Sequence, residues 1–314
     1  MAVEAGQLRV VPMARLRRAL LRVGLLEWVI MVQLLAFSLR LLAAADAQAA
    51  RPYLAAVLGL LAAVAGSTAL YRACFEGRVI PRLLHRLVVL GGLFGPYFML
   101  KRMIPVIEPA EFDAVLRGID LWLVGGDAAV WLERFATPFT SAWFAASYYG
   151  YYVVGGGFVL GMLLFCRRQD VLIEFGLLLC TAACIADLTY TLVPARGPYH
   201  HLAHLFAGPL PEDRLVPFVH GVIQNGPLLD VFPSMHTCLP LCIFLFSARH
   251  LPPAALITGL WLPHIVLSTM FLRYHYLIDV IAGALLALVL FAAVRPAMAA
   301  YERWRQRTGV AAEP

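Results

Sequence analysis

Apolar residues fill this chain in runs of about twenty, separated by short stretches that carry most of its arginines. A helix needs about 20 mainly apolar residues to cross a bilayer. Eight runs approach or exceed that length: roughly 20–44, 54–74, 83–104, 141–166, 170–193, 234–249, 253–271 and 275–296. The sixth and seventh are short, and Leu251-Pro252-Pro253 between them demands a tight connection. Gly91, Gly92, Gly95 and Pro96 interrupt the third. Two stretches do not fit the pattern. Residues 105–138 mix Glu108, Glu111 and Asp113 with Trp122 and Trp131, as helices lying in a membrane interface do. Residues 194–233 form a long loop rich in Pro, Gly and His, and a loop of that length is often functional. The predicted fold is all-α: a polytopic membrane helical bundle of about eight transmembrane helices. It divides into an N-terminal hairpin (1–80), a membrane core (81–298) and a solvated tail (299–314). No internal repeat is evident.

Composition agrees. The chain is 61% hydrophobic and 14% charged, with a mean hydropathy of +0.78, whereas soluble domains carry roughly 25% charged residues. The net charge of +6 does not point to nucleic acid, because the arginines flank apolar runs and do not gather on a soluble domain. Most of the 25 cations fall on one side if both termini are cytoplasmic, which puts 194–233 and 272–276 outside. Nine cations remain, among them Arg196 and Arg273 in the segments that look chemical. Abundant Ala and Arg with a single Lys imply a high-GC, bacterial source and hence the inner (cell) membrane. The basic start, apolar run and Ala43-Ala44-Ala45 could also be a cleavable signal; Glu27, Arg40 and the length of the run favour a retained helix. The six cysteines lie in or beside apolar runs and read as packing residues.

Three polar constellations carry the chemistry. His275 and Asp279 are i,i+4, so a helix puts them on one face, where the carboxylate can fix the imidazole tautomer and leave the other nitrogen free to attack. Arg273 lies two residues upstream, where it could hold phosphate oxygens. The alternative is a pair that only caps a helix. In Pro233-Ser234-Met235-His236, proline suits the first turn of a helix, whose free N–H groups attract phosphate. Ser234 adds a hydroxyl donor, and His236 could protonate a leaving oxygen. Arg196, in Arg196-Gly197-Pro198, is either a phosphate clamp or an interfacial snorkelling residue. The predicted topology puts all three constellations at helix ends on one side. Phosphoryl transfer uses such a set: cations and N–H dipoles, a nucleophile, and an acid.

In order and spelling these motifs, ending in the run 268–283, resemble the type 2 phosphatidic acid phosphatase superfamily, over roughly 85–296. They are closest to its inositol phosphorylceramide synthase branch. The resemblance implies a six-helix phosphatase-like core behind two N-terminal helices and cofactor-free, metal-independent chemistry through a phosphohistidine. It implies His275 as nucleophile, Asp279 as its orienter, His236 as acid, and Arg196 and Ser234 as phosphate contacts. The substrate would be a lipid phosphate or phosphodiester, and the acceptor water, a polyol or a lipid alcohol. Thr189, Met235 and Thr269 stand where the phosphatase pattern has lysine, glycine and arginine. These departures favour the phosphotransferase branch.

Other residues have two readings. His200, His201 and His204 read as headgroup contacts or solvated side chains before a zinc site, since no carboxylate accompanies them. Asp187 inside span five is either functional or a helix–helix hydrogen bond. Tyr148, Tyr149, Tyr151 and Tyr152 read as an aromatic belt, or else as a wall for a headgroup. Glu27 and Arg40 imply contact with another span or a partner. The rival from another class is an anionic-lipid transporter or flippase, which would use the same arginines without chemistry but explains neither the two histidines nor the carboxylate.

Overall fold

The computed structural model describes residues 22–212 and 214–307. Arg9, Arg15, Arg17 and Arg18 of the predicted basic start, and the end of the tail, lie outside the described residues. Helices form where the apolar runs predict them. The first two, α1 (Leu25–Leu42) and α2 (Ala47–Leu70), make a hairpin. Asp46 caps α2, accepting from Gln48 N at 3.0 Å and Ala49 N at 2.9 Å, which satisfies donors the helix itself leaves free. Next come α3 (Val79–Ile107) and the short α4 (Asp113–Val124) and α5 (Ala128–Leu132). α6 (Pro138–Phe165) opens on a Thr137–Thr140 capping box with Pro138 in its first turn. α7 (Gln169–Tyr190) follows. The predicted loop 194–233 contains α8 (Pro198–His201) and α9 (Leu215–Gln224). The chain then builds α10 (Met235–His250), α11 (Pro252–Phe271) and α12 (Leu277–Arg307).

Among the described residues, seven helices are long and apolar enough to cross a membrane. The remaining predicted span is α10, at 16 residues. It packs against α6, α7, α11 and α12, so it needs no full bilayer length of its own. With eight traverses, 105–138, 194–233 and 272–276 gather at one end of the bundle. Two apolar clusters hold it together. One joins α1, α2, α3 and α7 through Phe37, Leu100 and Met103. The other joins α6, α7, α10 and α12 through Phe175, Cys242 and Phe246.

The predicted interruption of the third span does not occur: α3 is continuous across its glycines. Its small residues serve packing. A Cβ on Gly92 would meet Val64 Cγ2 at 2.6 Å and Ile30 Cγ2 at 3.1 Å, whereas one on Gly91 would meet nothing within 4 Å. Gly92→Leu is therefore expected to lower stability by about 1–3 kcal/mol through overpacking. Gly91→Leu should be neutral or stabilising. Thermal unfolding in detergent reads both, and equal stability of the two variants would contradict this packing.

The tail also differs from its prediction. α12 runs on through Pro296 to Arg307, Arg305 is buried, and Tyr301 Oη donates to Val23 O, so this segment is docked against the start of α1. The predicted contact for Glu27 is internal: His85 Nε2 lies 3.2 Å and Arg72 Nη2 3.7 Å from its carboxylate. Arg40 donates to Thr191 O at 2.5 Å, tying α1 to the end of α7.

Candidate active site

The loop from α11 into α12 turns at Arg273, whose φ of +69° is left-handed, and delivers Tyr274 and His275. α12 begins two residues later, and Asp279 lies in its first turn. His275 Nδ1 sits 3.3 Å from Asp279 Oδ2, which also accepts from Tyr276 N at 2.8 Å. Both side chains are buried. With Nδ1 taken by the carboxylate, Nε2 is the nitrogen left to react. The predicted i,i+4 pair therefore forms.

α10 starts at Met235, with Ser234 as its N-cap and Pro233 outside the helix, not in its first turn. Ser234 N donates to Asp279 O at 3.0 Å, stitching the second motif to the third. A Cβ on Gly283 of α12 would collide with Ser234 O, so the glycine is what lets α12 pass so close. Ser234 Oγ accepts from Thr237 Oγ1 at 3.2 Å and caps none of the first-turn N–H groups. Thr237 N turns back to Ser234 O at 3.2 Å, which leaves the N–H groups of Met235 and His236 available to an anion. His236 lies in the same turn, its ring centroid 5.9 Å from that of His275. Tyr148 stacks on it at 4.3 Å and Tyr151 flanks it at 4.4 Å. Its Nε2 is buried without a hydrogen-bond partner. Tyr148 and Tyr151 are thus walls of the site; Tyr152, though partly exposed, also lines the cavity with its ring edge-on to His236 at 6.1 Å, and Tyr149 is exposed as a belt residue is.

The first motif joins through its backbone. Gly197 has φ +82°, and a Cβ there would collide with Tyr274 O, so only glycine lets this turn reach the third motif. Asp113 of α4 accepts from Arg196 N at 2.9 Å, Gly197 N at 2.8 Å and Tyr276 Oη at 3.0 Å. One turn-pair along the same face of α4, Asp120 accepts from Leu277 N at 2.7 Å and Ile278 N at 2.8 Å, capping α12 from another helix. Sequence reading missed both carboxylates. Their signal was the i,i+7 spacing that puts two acids on one helix face beside the buried Leu116.

The two predicted arginines are placed differently. Arg196 is partly exposed and paired with Glu111 at 2.8 Å. Arg273 is buried, bonded to Glu133 at 2.9 Å and Gly208 O at 2.9 Å, and stacked on Phe206 at 3.9 Å. Its guanidinium ties the outer loop and does not line the cavity beside the histidines. That cavity, about 450 Å³, is lined by His236, His275, Tyr151, Asp187 and Asp230, with Arg196 and His200 at its exposed end. Gln33 Nε2 of α1 reaches Asp187 at 3.3 Å, so this acid both bonds between helices and faces the cavity. Gln224 bridges His200 Nε2 at 3.4 Å and His220 Nε2 at 3.2 Å. Burial holds both imidazoles below the ordinary histidine range. His201 and His204 do not join them.

The arrangement offers a nucleophilic nitrogen oriented by a carboxylate, a second imidazole on the same cavity, and free helix N–H groups beside both. It can displace an alcohol from phosphorus and return a proton to it. A family model described as the PAP2 superfamily matches residues 116–293, which include every motif named above. No curated protein and no solved structure matches the chain significantly.

Proposed function

Because the chain belongs to the PAP2 superfamily of phosphoryl-transfer enzymes and its described residues include seven helices long and apolar enough to cross a membrane, we propose that it transfers a phosphoryl group of a lipid phosphate between alcohols through a phosphohistidine on His275. The observation that carries this reading is the convergence of the Asp279-oriented His275 and the Tyr-boxed His236 on one cavity. His275 Nε2 attacks phosphorus, and the P–O bond to the first alcohol breaks as His236 gives that oxygen its proton. A second hydroxyl then attacks phosphorus and the P–N bond breaks. The N–H groups at the start of α10, the Ser234 hydroxyl and Arg196 hold the non-reacting oxygens. Arg273 keeps the turn before His275 in place through Glu133.

Charge favours transfer from a phosphodiester, in the manner of the inositol phosphorylceramide synthases. The cavity lining carries one arginine, already paired with Glu111, and the two carboxylates of Asp187 and Asp230. A doubly charged phosphomonoester meets little compensating charge there; a singly charged diester needs less. The arginine distribution favours a site on the outer face with both termini cytoplasmic, and the Ala- and Arg-rich, Lys-poor composition favours a bacterial inner membrane.

The test is turnover of phosphorus-labelled phosphatidic acid, phosphatidylinositol and a polyprenyl diphosphate by purified protein in mixed micelles with EDTA. Each lipid is run with and without inositol, glycerol or ceramide. A new labelled phosphodiester from phosphatidylinositol is the expected product. Phosphate release indifferent to acceptors would make the enzyme a phosphatase instead, and inactivity on the whole panel would count against the histidine route.

A further inference from the structure

We propose that Asp230 is a further catalytic residue: the base that binds the incoming hydroxyl and takes its proton when the phosphohistidine is discharged. This rests on the phosphohistidine reading above. The step balances as follows. The acceptor oxygen forms a bond to phosphorus, its O–H proton passes to the Asp230 carboxylate, and the P–N bond breaks with its electron pair returning to His275 Nε2. The proton on Asp230 then returns to neutral His236, resetting the acid for the next cycle.

Three observations lead there. Asp230 lies six residues before His236, in the segment between α9 and α10, and an isolated parallel bridge to Ala195 fixes its backbone beside the first motif. Leu229 and Val231 on either side are buried, so the side chain between them is anchored where it faces the cavity shared by both histidines. Among the described residues, no other residue donates a hydrogen bond to its carboxylate. A carboxylate held only by its own backbone N–H in a site for an anionic group is costly twice over, through lost hydration and through repulsion of the phosphoryl oxygens. A hydroxyl donor removes the first cost, and its proton, once transferred, removes the second. Asp187, by contrast, already has Gln33.

The surroundings suit a base. The groups that feel the Asp230 charge are Tyr97 from α3, Tyr148, Tyr151 and Tyr152 from α6, Asp187 and Tyr190 from α7, and His275. Only His275 among them can be cationic, and it carries the phosphoryl group at the moment the base is needed. Burial holds the Asp230 carboxyl above the ordinary carboxylate range, against the pull of His275, which makes its ionised form a stronger proton acceptor. His236, clamped between two tyrosine rings, is set for the leaving oxygen.

Rapid-quench experiments with phosphorus-labelled phosphatidylinositol and phosphatidic acid separate the two half-reactions. In Asp230→Asn, the acid-labile phosphoenzyme should form at close to the wild-type rate and decay at least about 100-fold more slowly, the scale of general base catalysis. Wild-type decay should rise with pH through an apparent pKa above that of ordinary carboxylates, and this limb should vanish in the variant. Asp230→Glu, which keeps the base, should fold, retain the limb and decay at an intermediate rate. Wild-type decay in Asp230→Asn, or equal loss of formation and decay in both variants, would overturn the assignment. If the wild type itself gives no His275-dependent phosphoenzyme with either lipid, the failure belongs to the phosphohistidine reading.

Discussion

His275→Ala should lose essentially all turnover, by more than about 10⁴-fold, as removal of a covalent nucleophile does in enzymes whose reacting groups act as a unit. The reason is local. Nδ1 is committed to Asp279 at 3.3 Å, so the reactive nitrogen is Nε2, and no other cavity residue replaces it. The variant should still fold, because His275 N bonds Thr269 O and Tyr276 N bonds Asp279 whatever the side chain at 275. His236→Ala separates the roles further: it slows release of a poor leaving alcohol far more than that of a good one. Labelled product from lipid substrates, with unfolding followed in parallel, checks both. A folded His275→Ala protein with wild-type turnover would end the histidine mechanism.

The second large effect is expected at a residue outside the cavity. Asp120→Ala removes two charge-assisted bonds, of 2.7 and 2.8 Å, from the first N–H groups of α12 and leaves those partly buried donors without a protein partner. The cost should be about 2–4 kcal/mol of stability. Activity should fall with it, since the same turn holds Asp279 against His275. Asp120→Asn, which keeps one acceptor oxygen, should lie between. Thermal unfolding in detergent, with kcat measured at a temperature where every variant is folded, distinguishes this from surface substitution. An Asp120→Ala protein with unchanged stability would mean that α12 does not depend on α4 for its start.

The helices were legible because a bilayer imposes length and hydropathy on each run separately, with no need to know its neighbours. The i,i+4 pair and the Arg-Gly-Pro and Pro-Ser-Met-His motifs were legible because their geometry is local. What was not legible depends on contacts distant in sequence. Asp113 meets Arg196 and Tyr276 across more than eighty residues, and nothing in the spelling of α4 says so. Arg273 looked like a phosphate ligand by proximity to His275, yet Glu133 and Phe206 claim it from the outer loop. Four tyrosines in five positions read as one belt, but helical spacing sends Tyr148, Tyr151 and Tyr152 to the cavity face and leaves Tyr149 outside it.

The region matching the superfamily starts at residue 116, after α3, yet α3 supplies Leu93, Phe94 and Tyr97 to the cavity, and Gln33 of α1 orients Asp187 within it. The histidines and their carboxylate thus lie in the matched part of the chain, while part of the wall around them is supplied from before it. A shared catalytic half meets an N-terminal partition that can be exchanged without touching a reacting atom. Grafting α1–α3 from one such protein onto another would be a way to move substrate choice between them while leaving the reaction itself in place.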